Sequence, residues 1–201
     1  MVYILLVILT PLLALADSFT LLEKKLEEIR TLRASFIQKV QYSWYPKPEV
    51  SKGFFYAQKG GKFRIEYEQP QRMLIVSDGK RILIYDPEEN TAILDRVERN
   101  RSAVVEALFL LSRPLRDVFD KVGEISRNNG HVIVLKPKVQ DPYFSRVYVE
   151  VDGWRNIKSI KVEEKDGSFT TVELVDVKYN FTPSEDLFRI TVPKGVRVRQ
   201  I

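Results

Sequence analysis

The sequence predicts a mainly β, α+β fold in which an antiparallel meander curls against a few helices. Three observations carry that prediction. Turn signals recur at strand-length intervals: Gly60-Gly61, Asp78-Gly79, Asn129-Gly130, Asp152-Gly153 and Asp166-Gly167. Each supplies the positive φ that a tight hairpin turn demands. Between them the side chains alternate. Phe63, Ile65 and Tyr67 stand between Lys62, Arg64, Glu66 and Glu68, one apolar face and one charged. Finally, only three short stretches have helical rather than alternating spacing. Strands joined by hairpin-length turns make a meander, not βαβ units.

Taken in order, residues 19–33 read as an amphipathic helix with Ser18 at its N-cap. Phe19, Leu22, Leu26 and Ile29 form the buried stripe, and Glu23, Lys24, Lys25, Glu27 and Glu28 the wet face. Residues 34–44 alternate as a half-buried strand, which Pro46 and Pro48 end. Strands follow at 54–57 and 62–68. The hairpin 73–88 is unusual, because Met73, Leu74, Ile75 and Val76, and then Ile82, Leu83, Ile84 and Tyr85, are apolar at consecutive positions. Successive residues of a strand face opposite ways, so both faces of this hairpin need cover. A strand at 91–97 precedes a helical segment at 102–119, divided by Pro114. Strands at 131–135, 144–151, 156–164 and 169–179 follow, with a last one at 187–192 and Val196 and Val198 beyond it. The total is about ten or eleven strands against about three helical segments.

With 44% hydrophobic residues in 201, the chain can form one domain with a sizeable core. It has no cysteine and one histidine, His131, which excludes disulfides, a thiol nucleophile and a Cys- or His-rich metal site. The net charge of +5 comes from 32 basic and 27 acidic residues that are interleaved, unlike the basic block of a nucleic-acid binder. Residues 1–16 have the apolar run and the small-x-small ending, Ala14-Leu15-Ala16, of a secretory signal peptide. Residues 17–201 are then a single exported domain.

No catalytic constellation is present: no G-x-S-x-G, no P-loop, no H-E-x-x-H and no Rossmann glycines. The acidic groups Glu66 with Glu68, Glu88 with Glu89, and Glu163-Glu164 with Asp166 read as solvated surface, and His131 as structural. The basic tail Lys194 to Arg199 alternates as a charged edge strand does. The informative feature is therefore apolar, and it has two readings: an ordinary core under a helix, or a chamber for an apolar ligand.

Several motifs stand in a recognisable order: Thr31-Leu32-x-Ala34-Ser35-Phe36-x-Gln38, Gly53-x-Phe55, Lys62-Phe63-Arg64-x-x-Tyr67-x-x-Pro70, Leu74-Ile75-Val76-Ser77-Asp78-Gly79-Lys80, Tyr85-Asp86-Pro87 and Phe188-x-x-x-x-Pro193-x-Gly195-Val196. The ordered set resembles the LolA family of periplasmic outer-membrane lipoprotein carriers. The resemblance implies an unclosed antiparallel β half-barrel of about eleven strands, with a helical lid over a hydrophobic cavity. It implies a carrier that receives acylated lipoproteins from an inner-membrane LolCDE-type ABC transporter. Delivery is to the outer membrane through a LolB-type acceptor, by a monomer, without catalysis, metal or cofactor. Phe36, Phe63, Ile65, Tyr67, Leu74, Val76, Leu83 and Tyr85 are then assigned to the cavity. Met73 and Ile75 are the alternates that alternation equally allows. Ile65 stands where the family often has tryptophan. Val104, Leu108, Leu111 and Leu115 fall in the lid. Lys59 stands where well-known members carry an arginine that latches the lid to helix carbonyls. The other reading of the same architecture is an envelope-stress regulator that senses lipids or lipoproteins.

Overall fold

A computed structural model describes residues 17–96 and 114–200 of the chain. The expected leader and the lid positions Val104, Leu108 and Leu111 lie outside the described residues. Among the described residues two helices, α1 (Ser18–Glu28) and α2 (Leu115–Val118), accompany twelve strands. The first meander is β1 (Thr31–Gln41), β2 (Glu49–Gln58), β3 (Lys62–Gln69), β4 (Met73–Asp78), β5 (Arg81–Asp86) and β6 (Thr91–Arg96). The second is β7 (Phe119–Arg127), β8 (Gly130–Pro137), β9 (Phe144–Asp152), β10 (Ile157–Glu164) and β11 (Phe169–Tyr179), and β12 (Arg197–Gln200) ends the chain.

All twelve strands form one sheet, ordered β12-β6-β5-β4-β3-β2-β1-β11-β10-β9-β8-β7. The two meanders join where β11 lies antiparallel to β1, with Phe36 opposite Leu174 and Gln38 opposite Val172. The edges, β12 and β7, do not pair with each other, so the sheet is unclosed, as expected of a half-barrel. One face carries the core. Phe36, Phe55, Ala57, Phe63 and Ile65 from the first meander share one apolar cluster with Leu135, Val147, Val149, Ile160 and Val172 from the second. Leu22, Leu26 and Ile29 press α1 onto the same cluster, and Leu115 does so for α2. We call this the inner face.

Several boundaries differ from the sequence reading. The N-cap of α1 is Asp17, whose side chain accepts from the Thr20 N–H at 2.9 Å, while the Ser18 hydroxyl turns to Glu124 at 2.6 Å. The helix stops at Glu28 instead of running to residue 33. The Asn180 side chain takes the Arg30 N–H at 2.7 Å, and Thr31 already pairs with Gln58. Leu32, Ala34 and Phe36 are therefore the first inward residues of a strand, not the end of a helical stripe. Strand β7 escapes the sequence reading, because an edge strand with Asp120, Lys121 and Glu124 has little alternation to show. Residues 187–192 form no strand, and β12 pairs parallel to β6 from Arg197 onward. The basic tail thus is an edge strand, with all four residues exposed.

The segment between β11 and β12 answers what covers the second face of the hairpin. Phe181 sits against Tyr56 and under Arg33, two neighbours in register on the outer face. By residue 197 the chain has reached β6. The segment that joins them, here called the strap, runs from β2 to β6, and the outer face between those strands is buried. There Val76 and Leu83 are each only 1% exposed, Ala92 is similarly sealed, and Phe188 of the strap is buried.

Candidate functional site

The inner face of the first meander is built in rungs. Phe55, Ile65, Ile75, Ile84 and Ile93 lie opposite one another across β2 to β6, an unbroken apolar row. A second row runs Ala57, Phe63, Ser77 and Ile82. Tyr67 lies opposite Gly53 and Met73, and Gly53 lies opposite Phe36. Glycine is required at 53. A Cβ there would strike the Glu66 carbonyl and come within 3.0 Å of the Phe36 ring. The missing side chain leaves room for the Phe36 and Tyr67 rings to meet edge to face, with centroids 5.2 Å apart. Tyr67 also donates to Gln38 Oε1 at 2.9 Å, and burial pushes its phenol pKa up.

Of the eight residues assigned to a cavity, the register brings Phe36, Phe63, Ile65 and Tyr67 together on the inner face. It places the other four on the opposite side. Val76 pairs with Arg64 and Leu83, and Leu74 with Glu66 and Tyr85, so all four point outward. The alternates, Met73 and Ile75, take the inner face, joined by Ile82 and Ile84. The correction is a one-residue phase choice, which a run of consecutive apolar residues leaves undetermined.

Polar contacts fasten α1 over this face at three places. At its C-terminal end the Lys59 ammonium donates to the Glu27 carbonyl, and the Lys59 N–H to the Arg30 carbonyl at 2.9 Å. Midway, the buried Glu23 carboxylate receives the Arg116 N–H at 2.9 Å and its Nε at 2.8 Å, with Nη2 closing a fork. Glu23 thereby ties α1 to α2, and its hydrogen bonds and charge raise the Arg116 pKa further. The sequence reading placed Glu23 on the wet face. Its true position was available from spacing, since 19, 22, 23 and 26 are i, i+3, i+4 and i+7 of one stripe. At the N-terminal end, Glu124 accepts from Ser18 and from Lys121, each at 2.6 Å, and His131 Nδ1 lies 2.7 Å away. The Lys121 and Ser18 hydrogen bonds hold the Glu124 carboxyl below the usual carboxylate range.

The outer face of the second meander is different in kind. An open cleft of about 1120 Å³ lies there, lined by Tyr148, Glu150, Lys161, Glu173 and Val175 among others. Two of its charged groups have partners: Glu173 pairs with Lys39 at 2.8 Å, and Lys161 stands 3.8 Å over the Phe169 ring. Of the other acidic residues, Glu163 accepts from the Tyr148 hydroxyl at 2.6 Å, and Glu66, away on β3, pairs with Arg64. Among the described residues no cluster of acidic or histidine side chains could hold a metal ion.

Comparison with known proteins gives a consistent picture. The chain is 29% identical over 184 residues to the outer-membrane lipoprotein carrier protein of Actinobacillus pleuropneumoniae serotype 7, covering 91% of this chain and 84% of that one. It is 31% identical over 185 residues to the protein of the same name from Legionella pneumophila strain Lens, covering 90% and 89%. Among solved structures, a LolA superfamily protein from Nitrosomonas europaea matches with a TM-score of 0.51 at 13% identity, over 87% of this chain and 99% of that one. An uncharacterized conserved protein from Thermus thermophilus matches with a TM-score of 0.58 at 14% identity, over 92% and 100%. At those identities the structures speak for the fold alone. The sequence profile of the outer membrane lipoprotein carrier protein LolA matches residues 27–191, and the chain belongs to that family.

Proposed function

We propose that this protein carries acylated lipoproteins across the periplasm, from an inner-membrane LolCDE-type transporter toward the outer membrane, with the acyl chains held against the inner face. The observation that supports this reading is the apolar row Phe55-Ile65-Ile75-Ile84-Ile93, with Phe36, Phe63 and Tyr67 beside it, under a helix fastened by a few polar contacts. A sixteen-carbon chain leaving water gains about 10–13 kcal/mol at ~0.8 kcal/mol per methylene. Transfer from a bilayer to an apolar protein wall is near neutral, because both surroundings are apolar. Small changes in how α1 closes can then set the direction of transfer. Lifting α1 exposes Leu22, Leu26 and Ile29, and an acyl chain in its place offsets that exposure.

In this reading Lys59 acts as the latch at the C-terminal end of α1, and Glu23 with Arg116 as a second tie. The protein is exported, works as a monomer, and hands its cargo to a LolB-type acceptor without chemistry. Native mass spectrometry of protein purified from its own periplasm tests the proposal. Bound lipoprotein or diacyl lipid is the expected mass. Ile65→Glu, checked for folding by circular dichroism, should lose it. A folded Ile65→Glu protein that retains the same cargo would sink the carrier reading, and an anti-sigma factor in place of lipid would favour the regulator.

A further inference from the structure

Along the inner side of β1 the apolar run breaks at one residue. Leu32, Ala34 and Phe36 are buried, and the next inward position is Gln38. Gln38 lies opposite Ser51 of β2, and its Oε1 accepts from the Tyr67 hydroxyl at 2.9 Å. The inner wall therefore changes character along its length. At the end where Lys59 fastens α1, its rows hold Ala57, Phe63 and Ile82, then Phe55, Ile65 and Ile75. Ser77 belongs to the first of these rows, but its hydroxyl is engaged by the Gly61 carbonyl and the Gly79 N–H, each at 3.0 Å. At the other end, beside the 42–48 and 70–72 turns, stand an amide, a phenol and a hydroxyl.

That polar end is only partly satisfied. A glutamine amide offers a carbonyl on one side and two N–H donors on the other, and the phenol engages one side alone. Among the described residues the other side of the Gln38 amide has no hydrogen-bond partner, and neither has the Ser51 hydroxyl. Gln38, Ser51 and Tyr67 are half-buried, not sealed. The edge-to-face contact with Phe36 fixes the phenol in place. Packing alone does not call for this pair, since two apolar side chains of the same shape would fill the space with nothing left to satisfy.

An acylated cargo has the same gradient of polarity. Each chain is hydrocarbon as far as the carbonyl that joins it to glycerol or to an amine. A carbonyl that leaves water for an apolar wall loses its hydrogen bonds unless a donor meets it there. From Gln38 back to Leu32 the strand measures roughly 20 Å. That is enough for one acyl chain, which spans half of the ~30 Å bilayer core. We propose that Gln38, with Tyr67 and Ser51, binds the acyl carbonyl of the cargo and thereby sets its direction, carbonyl at the 42–48 end and chain methyl toward Ala57 and Phe63. The polypeptide part of the cargo then leaves beside the 42–48 and 70–72 turns. This assignment rests on the carrier reading and adds to it the group that tells an acyl ester or amide from plain hydrocarbon.

Three probes test it, each by displacing bound anilinonaphthalene sulfonate from the purified protein. The first is a lipopeptide with two palmitoyl esters on an S-glyceryl cysteine and a free amino terminus. The second is its dialkyl ether counterpart, which has no acyl carbonyl, and the third is an N-palmitoyl peptide. Relative to the diether, Gln38→Met should weaken the diester or the N-palmitoyl peptide about tenfold. The probe that loses names the bound carbonyl as ester or amide. Gln38→Met combined with Tyr67→Phe leaves no phenol unpaired, so it should fold with a urea midpoint near that of the unaltered protein and show the same selective loss. A diazirine at the methyl end of a chain should cross-link to residues 55–63. Equal losses for all three probes, no loss for any, or cross-links at Ser51 and Met73 would each overturn the assignment and leave the carrier reading standing. Failure of the unaltered protein to bind any of the three would remove both.

Discussion

On the outer face of β4 to β6, Val76, Leu83 and Ala92 are sealed from water, whereas on the outer face of β9 to β11 Tyr148, Lys161 and Glu173 line an open cleft. The strands belong to one sheet and share the same inner core, yet their outer sides follow opposite rules. The strap, residues 181–196, runs from β2 to β6 within the first meander, and its Phe188 is buried as Val76, Leu83 and Ala92 are. The sequence of each half is written accordingly: β4 and β5 are apolar at consecutive positions, while β9 and β10 alternate over Val147, Val149, Val151 and Ile160, Val162. Loss of alternation is a sign of two-sided burial, and its return a sign of a wet face.

The comparison can be broken experimentally. Leu83→Ala removes a side chain 1% exposed from the outer layer and should cost about 2–4 kcal/mol, read from the urea midpoint. A result near zero would mean the strap closes over the gap. Combining it with Phe188→Ala should show a coupling of about 0.5–3 kcal/mol, since both side chains belong to the same buried layer; additive losses would separate the strap from the sheet. Removing residues 197–201 takes away β12 and frees one end of the strap. A loss of about 1–2 kcal/mol is expected, together with concentration-dependent association through the uncovered β6 edge.

Acid should loosen the other half at Glu124. The folded Glu124 carboxyl titrates below its unfolded value, so its stabilising share is complete above the ordinary carboxylate range, about pH 4.3. That share fades as pH falls through the folded value. Hydrogen exchange at neutral pH and near pH 3 should show β7, β8 and the start of α1 losing protection as pH falls, and Glu124→Gln should remove that loss. The smallest effect belongs to the open cleft. Glu173→Ala breaks an exposed pair with Lys39 and should change stability by less than about 0.5 kcal/mol.

Much of this architecture could be read from the chain. The turns, the alternation of β3 and the apolar excess of the hairpin were all visible, and the ordered motifs carried the family. What could not be read was phase and cover. Leu74 and Ile75 are equally apolar, and only the pairing of Ile65 with Ile75 decides which of them faces inward. Ends of elements failed where distant groups intervene, as Asn180 does when it takes the Arg30 N–H and stops α1. Strand β7 failed because an edge has little to bury. Glu23 was mistaken for a surface residue because its charge outweighed its position on the stripe.

The join between β1 and β11 has a kinetic consequence. The central strand of the sheet forms early in the chain, and its second neighbour arrives only near the end. Closing that pair means bringing together segments roughly 140 residues apart, a slow step for any chain. Until it happens, β1 offers a bare edge of eleven residues with Phe36 and Ala34 uncovered. A chain that emerges from its N-terminus must wait in that condition for its last long strand. The interval is when it is most exposed to mispairing, and when a holding factor would have most to protect.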